Sequence, residues 1–168
     1  MLDIDIVKQD IHNWIVNFLE VRNPNLGNRS PCPYARGARI KQNYDVRIGT
    51  ELLDDLNQIA QQGLGKFEVI ICAYPSNKYS ADEFYELVQH ANKNILVEKD
   101  ILVLDDHPDH KEEVNSVCFN QGKYTLALVQ CLSDLNEKAR FVAKQGFYDE
   151  WPDEYLESLF THREDPRS

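Results

Sequence analysis

The chain has 168 residues, a formal charge of -10, 42 % hydrophobic residues and 10 % aromatic residues. That is the size of one ordinary domain with apolar matter for a core, which argues against a disordered chain. The acid surplus argues against non-specific nucleic-acid or anionic-lipid binding, and no apolar run approaches the roughly 18 residues of a membrane helix.

The start, MLDIDIVKQD, has neither the basic n-region nor the apolar h-region of a secretory signal, so the expected location is cytoplasmic. Residues 4 to 21 predict a helix: Ile4, Val7, Ile11, Trp14, Ile15, Phe18 and Leu19 recur at spacings of three and four. Residues 22 to 34 hold three prolines and a glycine and predict an irregular loop. A first strand is expected over 38 to 48, then a helix over 51 to 62 capped by Thr50. Residues 67 to 74, FEVIICAY, form the clearest strand, and its continuous apolar run suits a central position. Ser80 or a neighbour caps a helix to about residue 93. Further strands are expected over 100 to 104 and 124 to 130, with a loop or short helix between. Asp134 and Glu137 have capping-box spacing for a helix ending at Gly146, and Pro152 opens a last helix over 153 to 161.

Four strands interleaved with amphipathic helices predict an α+β fold with one four-stranded, mostly antiparallel or mixed sheet. Helices on one face would make a ferredoxin-like variant, and helices on both a three-layer α/β sandwich. Residues 1 to 163 are expected to form a single domain and 164 to 168 a frayed tail.

Two segments carry candidate chemistry. Pro31 and Pro33 restrict Cys32 inside a stretch, 22 to 47, with six Lys or Arg against one acid. Nearby guanidiniums can lower a thiol pKa, so Cys32 is a candidate nucleophile. Arg36, Arg39 and Arg47, with Tyr34, are candidates to hold a small anionic substrate. The second segment, Asp105 to His110, follows a strand directly. His107 is a candidate base for Cys32, and His107, His110 and Asp106 are candidate ligands for zinc or iron. A buried loop anchor and a charged surface turn explain the same residues without chemistry. Cys72 and Cys131 read as free core thiols.

The Cys32-Pro33-Tyr34-Ala35 segment after a helix bearing Trp14, and the later His107-Pro108-Asp109 after a strand, resemble a bacterial family of small proteins. Its members carry Cys-Pro-Phe-Ala and His-Pro-Asp segments in that order. The family has no agreed activity, so the resemblance links the two segments without naming a reaction.

Two functions follow. One is an enzyme using a Cys/His site, thiol-based or metal-assisted, on a small anionic molecule. The other is a non-catalytic binding or protein-interaction module. Seven acids against two arginines over 147 to 168, around Tyr148, Trp151 and Phe160, suit a basic protein partner or a homo-oligomer.

Overall fold

Strand residues that alternate between two apolar faces give this chain a sheet that must be covered twice. A computed structural model describes residues 1–168. The elements are α1 (Ile4–Trp14), α2 (Ala35–Lys41), β1 (Tyr44–Ile48), α3 (Leu52–Gln62), β2 (Val69–Tyr74), α4 (Ala81–Ala91), β3 (Ile101–Asp106), β4 (Glu113–Val114), β5 (Val117–Cys118), β6 (Thr125–Cys131), α5 (Leu132–Lys144) and α6 (Asp153–Leu159).

The main sheet has the order β1-β2-β6-β3. β1 runs parallel to β2, while β6 is antiparallel to both β2 and β3. The fold is therefore α+β with a mixed four-stranded sheet and packed helices. Ile70, Cys72, Tyr74, Val103, Ala127 and Val129 face α3 and α4 in one core cluster. Val46, Ile71, Ala73 and Leu126 face α1 in another. Helices thus cover both faces, the layered covering that the sequence left open.

β2 is central, as its apolar run predicts, with five of its six residues buried. β3 lies at the edge, and an edge strand presents backbone groups that no other strand satisfies. Asn92, just beyond α4, supplies the missing partner. Its Nδ2 donates to the Val103 carbonyl and its Oδ1 accepts from the Val103 N–H, each at 2.9 Å.

Three local expectations are corrected. Residues 38 to 43 do not extend the first strand. Ala35 to Lys41 coil into α2, because Ala35 and Ala38 turn one small apolar face inward and Gln42 reverses the chain at φ 55°. The Asp134–Glu137 capping box is absent, because α5 starts at Leu132 directly from β6. Asp134 lies inside the helix, 3.3 Å from Lys138, and Asp100 caps instead, accepting from the Ser133 N–H at 2.8 Å. Thr50 does not cap α3; its N–H and hydroxyl donate to Asp55 at 2.9 and 3.1 Å. Ser80 does cap α4, accepting from the Glu83 N–H at 3.1 Å. Between β3 and β6 the chain makes a small hairpin, β4–β5. Its turn residues Asn115 and Ser116 have φ 51° and 67°, the paired left-handed conformation that tight hairpins require.

A third core cluster gathers the C-terminal aromatics. Phe147, Tyr148, Trp151 and Phe160 pack edge to face, with Leu26, Val114, Val117 and Val142 around them. Tyr148, Trp151 and Phe160 are each less than a tenth exposed. They form a layer of the fold, so these three rings are not at the surface to dock a partner.

Candidate functional site

The second face of the sheet is not sealed like the first. α1 covers its β1–β2 side, and the C-terminal aromatic layer spans the remainder. Between them lies a cavity of about 630 Å³. Val69, Ile71, Leu102, Leu104 and Leu128 form its floor, and Tyr148, Trp151 and Tyr155 form part of its roof. Across it, His162 Nε2 lies 2.8 Å from Gln89 Oε1, joining the C-terminal segment to α4. A space of this size, apolar with a few convergent polar groups, is the usual form of a small-molecule site.

Both segments singled out in the sequence reach this cavity. Cys32 and Tyr34 border it from the N-terminal side, and Asp105, Asp106, His110 and Glu112 from the end of β3 and the loop beyond. The structure does not bring His107 to Cys32. His107 turns away among core aromatics and is 1 % exposed. Its Nδ1 accepts from the Asp109 N–H at 3.0 Å, so Nε2 carries the proton and donates to the Tyr79 carbonyl at 2.8 Å. With both ring nitrogens engaged by backbone, His107 serves as a structural pin, not as a base or metal ligand.

Cys32 is not poised as a thiolate. Burial pushes its thiol pKa up, outweighing the Tyr34 and Ala35 backbone N–H groups that favour the anion. The arginines expected to supply positive charge are committed elsewhere. Arg39 makes a two-pronged pair with Glu20, and Arg47 Nε lies 2.8 Å from Asp45 Oδ2. Arg36 is exposed on α2, and none of the three borders the cavity.

The metal-ligating types do converge, with a changed membership. Asp105, His110 and Glu112 each offer one ligand atom, and these atoms lie within 4.8 Å of one another. One imidazole nitrogen and two carboxylates suit zinc or iron. Asp106 is not among them. It is buried and accepts from Asn120 Nδ2 at 2.8 Å and the Gln121 N–H at 3.1 Å, while burial raises its pKa to about 6. Burial also raises Asp105, partly offset by His110, and raises Glu112, which Asp105 raises further. Two carboxyls that resist ionising side by side are a pair that a cation would relieve.

Asn120 sets the loop that presents these ligands. Its Nδ2 lies 2.8 Å from Asp106 Oδ1, 3.0 Å from the His107 carbonyl and 3.1 Å from the His110 carbonyl, two hydrogens shared among three acceptors. Its Oδ1 accepts from the Glu112 N–H at 2.7 Å. One side chain thus ties together the strand end, the turn and the backbone of two ligand residues. Nothing in the local sequence around Asn120 signals this role.

No family model, curated protein or solved structure matches the chain. No helix is long and apolar enough to cross a membrane.

Proposed function

We propose that this protein is a binding module that holds a small molecule in the cavity, against a zinc or iron ion carried by Asp105, His110 and Glu112. The observation that carries the reading is the convergence of those three ligand atoms on the wall of a 630 Å³ cavity. Three protein ligands leave the remaining coordination positions to the bound molecule. Cys32 to Ala35 line the same cavity, whereas His107, Pro108 and Asp109 do not. Four cysteines without a disulfide support a cytoplasmic setting.

The test is elemental analysis of protein purified without chelator, with Asp105→Asn and His110→Ala alongside. Near-stoichiometric zinc or iron, lost in both variants, is the expected result. Wild-type protein that neither retains a metal nor takes one up on titration would overturn the reading. A second reading, metal-assisted hydrolysis, draws on the same open coordination. Turnover of simple esters or phosphoesters, abolished by chelator and by His110→Ala, would favour it over binding alone.

A further inference from the structure

Only four buried side-chain polar atoms in the molecule lack a hydrogen-bond partner: Trp14 Nε1, Tyr34 Oη, Thr125 Oγ1 and Arg163 Nε. Three of the four, Trp14, Tyr34 and Arg163, belong to residues lining the 630 Å³ cavity, and all three are hydrogen-bond donors. Buried donors are almost always satisfied, because leaving one unmade costs about 1–3 kcal/mol. Three orphans around one space therefore point to something that fills it.

Arg163 says what kind of thing. Two Lys or Arg side chains line the cavity. Lys138 is neutralised by Glu68 at 3.4 Å and Asp134 at 3.3 Å. Arg163 makes no ion pair; its guanidinium carbon lies 4.9 Å from the Phe160 ring centre, which leaves the charge itself uncompensated. Arg163 is half-buried, its Nε is sealed from solvent without a partner, and the fork geometry of a guanidinium matches an oxyanion. Tyr34 and Tyr148 lie close enough to Arg163 for their hydroxyls to feel its charge. None of the four acids on the cavity wall pairs with it: Glu68 faces Lys138 and accepts from Asn43 at 3.1 Å, Asp106 is held by Asn120 and Gln121, and Asp105 and Glu112 gather at His110.

We propose that Arg163, Tyr34 and Trp14 form an oxyanion-binding subsite, which takes the carboxylate or phosphate group of the molecule held in the cavity. This rests on the reading of the cavity as a ligand site and uses none of the metal-ligating residues. Arg163 is the charged clamp, and the Tyr34 hydroxyl and Trp14 indole N–H complete the set of donors. The substrate anion expected from the sequence thus has a receptor, built from a C-terminal arginine instead of the basic loop.

The experiment measures thermal stability of the full chain against inorganic phosphate and, separately, acetate, with chloride holding ionic strength constant. Wild type, Arg163→Met and Tyr34→Phe are compared, each with and without 1,10-phenanthroline. The expected result is a saturable rise in Tm with at least one of the two anions. The better stabiliser of the two names the group that the natural ligand carries. Arg163→Met should weaken that anion about tenfold or more, and Tyr34→Phe should weaken it by a smaller factor. The anion response should be the same with the neutral chelator 1,10-phenanthroline present, so a metal site that fails does not take this subsite with it. No saturable response to either anion would overturn the proposal. So would a response unchanged in both Arg163→Met and Tyr34→Phe. Were Arg163→Met to misfold, Tyr34→Phe removes one oxygen from a half-buried ring and carries the test alone.

Discussion

Replacing Asn92 with alanine should destabilise the protein far more than a single surface asparagine normally would. The Asn92 side chain is 2 % exposed and makes two hydrogen bonds of 2.9 Å to the backbone of Val103, itself 1 % exposed. Two such bonds contribute about 2 kcal/mol net, and stranding a buried N–H and a buried C=O raises the loss to about 3–4 kcal/mol. Urea denaturation followed by the fluorescence of Trp14 and Trp151 measures this directly. Asn92→Asp gives an internal control. Ionised, the new carboxylate accepts from the Val103 N–H but opposes the Val103 carbonyl; protonated, it can accept from one and donate to the other. Its folded pKa is therefore raised above the unfolded value of about 3.9. Its stability should be best below that value and fall as pH rises through the folded pKa. A loss below about 1 kcal/mol for Asn92→Ala, outside the range that two buried bonds allow, would mean that Asn92 does not hold the edge of β3.

Other outcomes follow from single contacts. Gly49→Ala puts a methyl 2.2 Å from a carbon of the fully buried Tyr74 ring, so it should cost about 3 kcal/mol or more in the same assay, although the backbone there needs no glycine. The Asp100 carboxyl is held below the usual range by the Ser133 hydroxyl and N–H. Its contribution is therefore present above about pH 4 and lost as pH falls through the lowered folded pKa; Asp100→Asn, which tolerates the φ of 59°, should flatten that part of the acid limb in a pH series of melts. Thiol titration of the native protein near neutral pH should modify exposed Cys118 first. Cys72, buried and pushed up to about 12, should react only on unfolding, while half-buried Cys32, also pushed up by burial, should react more slowly than Cys118; labelling of Cys32 ahead of Cys118 would contradict this. Asn120→Ala should weaken metal binding about tenfold or more by freeing the loop that carries His110 and Glu112, seen by calorimetric titration of the apoprotein.

The sequence showed most where a pattern is local and repetitive. The apolar run of β2, the Ser80 cap and the amphipathic α3 and α4 all follow from spacing alone. It misled where a tertiary contact outweighed local pattern. Residues 38 to 43 alternate weakly enough to pass for strand, yet Ala35 and Ala38 pack as a helix face. Asp134 has the right spacing for a cap, but Asp100, across the chain, reaches Ser133 first.

At the site, residue type was legible and partnership was not. Asp105 to His110 proclaimed a metal-ligating composition. Which members share a centre depends on Asn120, fourteen residues beyond Asp106, and on Glu112 folding back. His107 and His110 look equivalent in sequence, yet one is locked between backbone groups and the other faces Asp105 and Glu112. Arg163 sits in the acidic C-terminal stretch, where nothing local distinguishes it from a solvated tail residue. Only the aromatic layer, assembled from residues 26 to 160, makes it the wall of a cavity.

The most direct test is anomalous diffraction at the zinc edge from crystals of the full chain grown with zinc. A single strong peak is expected in the cavity wall, about 2.0–2.2 Å from one oxygen each of Asp105 and Glu112 and one nitrogen of His110. A peak at other residues, or none at this cluster while the loop keeps its fold, would contradict it.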